Sequence, residues 1–177
     1  MRFILSIFLI LFILGCTVQQ TAEENELIQD INMKLISSAF NHGNPIPSKY
    51  TCDGQDISPP LAFSDIPENT KSFALIMDDP DAPMGIWDHW IIFNMFSSIQ
   101  NINEGETPKS MGGRNSWGKT GYGGPCPPSG EHRYFFKAYA LDTELNLEEG
   151  VTKEELIEAM NGHIVGKAVL MGTYSRE

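Results

Sequence analysis

Residues Gly123–Leu141 read GGPCPPSGEHRYFFKAYAL, and the second half of that stretch decides what kind of fold the chain adopts. From His132 onward the side chains alternate: His132, Tyr134, Phe136 and Ala138 on one side, Arg133, Phe135 and Lys137 on the other. Period two over that length is the signature of a β-strand, and it predicts that His132 and Tyr134 look into one space. The half before it holds Pro125, Pro127 and Pro128 among Gly123, Gly124 and Gly130. Proline fixes φ and glycine supplies the positive φ that other residues avoid, so this loop follows one path and delivers His132 to a defined place.

Outward from this strand, apolar runs of strand length recur: 33–40, 60–66, 72–79, 90–96 and 166–174. Turn-rich clusters such as NHGNPIPSKY and CDGQDISPP separate them. Short strands with Pro/Gly turns predict an all-β antiparallel sandwich or barrel. One segment reads as a helix, VTKEELIEAMNGH (151–163), with Thr152 as N-cap, Glu155 completing a capping box and Gly162 as the stop. In WDHWIIFNM (87–95), alternation predicts Trp87, His89, Ile91 and Phe93 on one side. Just upstream, SFALIMDDPDAP ends a strand with Asp78, Asp79 and Asp81, which marks a loop rim.

The 177 residues suffice for one domain with its own core. A net charge of −11 disfavours nucleic acid and repels anionic lipid surfaces. The apolar run Phe3–Leu14 follows Arg2 and is too short to span a bilayer, which takes about 20 residues. It reads as an export signal over 1–15, and ILGC (13–16) resembles the lipobox of prokaryotic lipoproteins. The expectation is an exported protein, membrane-anchored through lipid on Cys16, on an acidic tether over 16–32, with a folded domain over 33–177. Cys52 and Cys126 then face a compartment where disulfides persist. They form either a bridge, which the chain-entropy account values at about 4 kcal/mol, or two free thiols.

DDPDAPMGIWDHW (78–90) and GKTGYGGPCPPSGEHRY (118–134), followed by YALD, resemble in order the signature regions of the phosphatidylethanolamine-binding protein family in its short prokaryotic form. The resemblance implies a Greek-key β-sandwich with one or two short helices and a small anion pocket at one end. It implies ligand-binding roles for Asp79, Trp87, His89, Pro125, His132 and Tyr134, and a cis peptide before Pro83. No cofactor, resident metal or catalytic residue is implied, and a protein partner is left unnamed. The residue chemistry agrees: two imidazoles and a hydroxyl can bind a phosphate or a phospholipid head group between the apolar walls of Trp87 and Pro125. Two other readings compete. One is a hydrolase in which His and Asp activate Ser129 or Cys126, although PPSGE is not a nucleophile elbow. The other is a metal held by His89, His132 and Asp79, without a tight ligand spacing to support it.

Overall fold

The computed structural model describes residues 33–176; the expected export signal, Cys16 and the expected tether lie outside the described residues. Eight strands are formed among the described residues: β1 (Lys34–Ile36), β2 (Leu61–Ser64), β3 (Ser72–Asp79), β4 (Trp87–Phe96), β5 (Asn101–Ile102), β6 (Met111–Gly112), β7 (Glu131–Leu141) and β8 (Ile164–Ser175). They make a three-stranded sheet in the order β1-β2-β5 and a five-stranded sheet in the order β6-β4-β3-β7-β8, every neighbour antiparallel. In the larger sheet β3, β4 and β6 follow one another and β7 returns beside β3, which is the Greek-key arrangement. The antiparallel sandwich, one of the two folds the strand pattern allows and the one the family resemblance implies, is therefore the fold.

All eight residues of β3 are buried, which explains why its middle, Phe73–Met77, is apolar without alternation. One face lies against the smaller sheet, where Phe73, Leu75 and Met77 meet Phe63, Trp90 and Phe136. The other face, through Ala74 and Ile76, packs with Leu156 and Met160 of α1 (Lys153–Met160), the single α-helix among the described residues. The Thr152 hydroxyl accepts the Glu155 N–H and the Glu155 carboxylate accepts the Thr152 N–H, so the capping box closes as read from sequence. Gly162 follows the helix at φ 80°.

Three features depart from the sequence reading. β4 starts at Trp87, before its apolar run, and β5 and β6 are two-residue strands with no pattern of their own. The alternation expected in β4 fails at a bulge: Met77 pairs with Trp90 but Asp78 pairs with Asp88, leaving His89 as the extra residue. Trp90 and Ile92 consequently enter the core between the sheets, while Ile91 and Phe93 turn to the helix side and part company with His89. Finally, the described peptide bonds are all trans, including the one before Pro83, against the cis bond implied by the family resemblance.

Candidate functional site

Antiparallel pairing brings the end of β3, the start of β4 and the start of β7 to one end of the larger sheet. Asp79 comes from the first, Trp87 and His89 from the second, His132 and Tyr134 from the third. Asp79, Trp87, His89 and His132 line a cavity of about 360 Å³. The bulge is what aims His89: it lets the imidazole and Trp87 face the same space while the rest of β4 fills two cores.

The polar end of the cavity is tightly specified. The Asp79 carboxylate accepts the Asp81 N–H through Oδ1 at 2.8 Å and meets His132 Nδ1 through Oδ2 at 2.8 Å. That contact fixes Nδ1 as the donor of His132, since an ionised carboxylate only accepts. His89 Nδ1 donates to the Gly123 carbonyl at 2.7 Å. Both rings are buried, at 3% and 6% exposure. Burial pushes the His89 pKa below the ordinary imidazole value, outweighing the Gly123 carbonyl and the Asp79 charge. The Tyr134 hydroxyl is fully buried and has no hydrogen-bond partner. Its pKa is driven up by burial and by the nearby Asp79 charge, so it stays protonated.

The apolar end has aromatic walls. Trp117 meets Trp87 edge-on at 5.5 Å and His89 at 5.0 Å, and His89 meets Tyr134 at 5.2 Å. The indole of Trp117 lies over Gly123, where a Cβ would come within 2.6 Å of the ring. Met84 and Pro128 complete the wall, and Met84 is 91% exposed at the mouth. Outside the cavity, Arg133 grips Asp81 through Nε and NH2 and holds its carboxyl down to about 2.

Cys52 and Cys126 form a disulfide, and Cys126 lines the cavity. The loop they join is also held by the Cys52 N–H donating to the Pro125 carbonyl and by the Gly124 N–H donating to Asp56. Two residues implied by resemblance stand behind the wall. Pro125 is buried and does not line the cavity, its place being taken by Pro128. Tyr134 lies beneath, against His89. Trp117, Met84 and Pro128 are wall residues that sequence reasoning missed; for Trp117 the signal was a large aromatic in an otherwise Gly-rich loop. Lys119 lines a neighbouring cavity of about 300 Å³, and neither it nor Arg114 lines the first. Among the described residues no three His, Cys, Asp or Glu groups gather closely enough to hold a metal ion.

Comparison with known proteins places this arrangement. The family model described as phosphatidylethanolamine-binding protein matches residues 36–175, so the chain belongs to that family. A UPF0098 protein of Chlamydia trachomatis is 52% identical over 150 residues, covering 82% of this chain and all of its own. One of Methanothermobacter thermautotrophicus is 53% identical, covering 81% and 99%. The crystal structure of a phosphatidylethanolamine-binding protein homolog of C. trachomatis superposes with a TM-score of 0.81 at 52% identity, covering 82% of this chain and 99% of that one. E. coli YbcL superposes with a TM-score of 0.77 at 28% identity, with the same coverage.

Proposed function

We propose that this member of the phosphatidylethanolamine-binding protein family is a non-enzymatic binding protein for small anionic ligands of the phosphate or phospholipid head-group type. The observation that carries the reading is the meeting of Asp79, His89 and His132, distant in sequence, in one cavity with aromatic walls. Asp79 orients His132 by holding Nδ1, the Gly123 carbonyl does the same for His89, and each ring keeps Nε2 for a ligand. An anion entering the cavity favours the imidazolium forms, whose Nε2–H groups then donate to it. Two or three charge-assisted bonds, each worth about 1.5–3 kcal/mol before association costs, give affinities of roughly micromolar to millimolar for a bare head group.

Against the hydrolase reading stand two facts about its nucleophiles. The sulfur of Cys126 is bonded to Cys52, and Ser129 is exposed outside the cavity lining. A bridge between Cys52 and Cys126 fits the exported lipoprotein expected from ILGC, because disulfides persist in oxidising compartments. On this reading Cys16 tethers the domain to a membrane from its extracytoplasmic side. Incorporation of labelled fatty acid that disappears in Cys16→Ser is the expected result; undiminished labelling removes the anchor.

The binding reading is tested by titrating the protein with inorganic phosphate while following the histidine ring signals by NMR. The His89 and His132 signals shift together at millimolar phosphate, and His132→Ala weakens the His89 response at least about tenfold. Unmoved signals in the unmodified protein at that concentration sink the anion pocket.

A further inference from the structure

The cavity offers a ligand an unusual set of hydrogen-bonding groups. Each imidazole has Nδ1 engaged within the protein, His89 to the Gly123 carbonyl and His132 to Asp79, so Nε2 of both rings is a bare lone pair while the rings are neutral. Both Asp79 oxygens are already accepting. No lysine or arginine lines the cavity. Arg133, next to His132 on β7, is taken by Asp81.

The charged and titratable neighbours of His89 on each element packed against it are few. Asp79 at the end of β3 and Asp88 on its own strand favour its protonation. From β7 come Tyr134, held protonated, and His132; the 113–124 loop brings only the Trp117 ring and the Gly123 and Gly124 carbonyls. Burial outweighs these, so the ring that meets the ligand is neutral near pH 7.

An anion without a proton of its own would therefore set an oxygen against the lone pair of His89 Nε2. Building on the anion-pocket reading, we propose that the site takes up an anion only together with a proton, and that its ligands are phosphomonoesters rather than phosphodiesters. A monoester, whose second ionisation lies near pH 6, still carries a P–O–H hydrogen in about half of its molecules at that pH and in roughly a tenth of them at pH 7. That hydrogen bonds to His89 Nε2, or passes to it and leaves an imidazolium beside a phosphate dianion; the proton count is the same. A diester is ionised throughout and has no hydrogen to bring, so its binding must draw a proton from solvent onto a buried ring.

The test is calorimetric titration of the protein with methyl phosphate and dimethyl phosphate, in buffers of different ionisation enthalpy, at about pH 6 and about pH 7.5. At the lower pH methyl phosphate binds with uptake of about half a proton, since about half of it already carries one, and at least about tenfold more tightly than dimethyl phosphate, the equivalent of one charge-assisted bond. Dimethyl phosphate takes up close to one proton. His89→Gln, whose amide donates at any pH, narrows the gap between the esters and abolishes the uptake. Equal affinity for the two esters with no proton uptake overturns the proposal. So does binding of ethylammonium in place of either ester, which would make the cavity a cation site. Absence of binding by both esters and by inorganic phosphate at either pH rejects the anion pocket as well, and is told apart from the first outcome by that silence.

Discussion

His132 and Asp79 form a contact in which each residue makes the other's burial tolerable, and substitutions there separate packing from binding. His132→Ala leaves a buried carboxylate with one partner fewer, which costs about 1–3 kcal/mol in denaturant unfolding in addition to the lost phosphate response. Tyr134→Phe removes a buried hydroxyl that has no partner, so the unfolding midpoint stays level or rises. A fall of more than about 1 kcal/mol would mean that the hydroxyl is bonded after all. Asp81 is governed by pH. Its carboxyl is held at about 2 in the folded chain, against an ordinary value of 3.8, chiefly by Arg133. Its contribution is complete above pH 3.8 and disappears as pH falls through about 2. Asp81→Asn therefore shows a smaller loss of stability than the unmodified chain on acidification across that interval, measured by urea midpoints. A matching loss in both proteins would show that the Arg133 pair contributes nothing.

At the scale of elements, the loop between β6 and β7 and the bulge in β4 matter more than the strands themselves. A Cβ on Gly124 would come within 2.5 Å of the Tyr50 carbonyl and 2.8 Å of Thr51 Cα, both backbone that has nowhere to move. Gly124→Ala is expected to lower stability by about 1–3 kcal/mol and to weaken phosphate binding, since it pushes the Pro128 wall outward. Thr152→Ala, by contrast, removes the N-cap of α1 on the far face, at about 1 kcal/mol and with the phosphate titration unchanged. A weakened titration would join the helix to the site. The long strands were legible because alternation or continuous burial marks every residue of β7 and β3. The bulge was not: a single extra residue leaves no periodic trace, and it redirected Ile91 and Phe93. Nor could spacing tell Pro125 from Pro128 as the wall, because that depends on which way a Pro/Gly loop turns. Asp79, His89 and His132 were readable as a group through the family's ordered motifs, whereas Trp117 belongs to a segment whose course only tertiary packing fixes.

For the whole molecule, the 74-residue separation bridged by Cys52 and Cys126 encloses β2 to β6 and so takes strands from both sheets. The chain-entropy account assigns such a cross-link about 4 kcal/mol, acting mainly on the unfolded chain. Cys52→Ser with Cys126→Ser is expected to lose roughly that amount by denaturant unfolding while keeping the strand content seen by circular dichroism; an unchanged midpoint would show the bridge to be energetically idle. The Greek-key return has a temporal side. A ribosome delivers the chain N-terminus first, so Asp79 and His89 emerge well ahead of His132, which lies 53 residues beyond Asp79. The nascent chain therefore holds only part of the cavity's polar end until β7 emerges and settles beside β3.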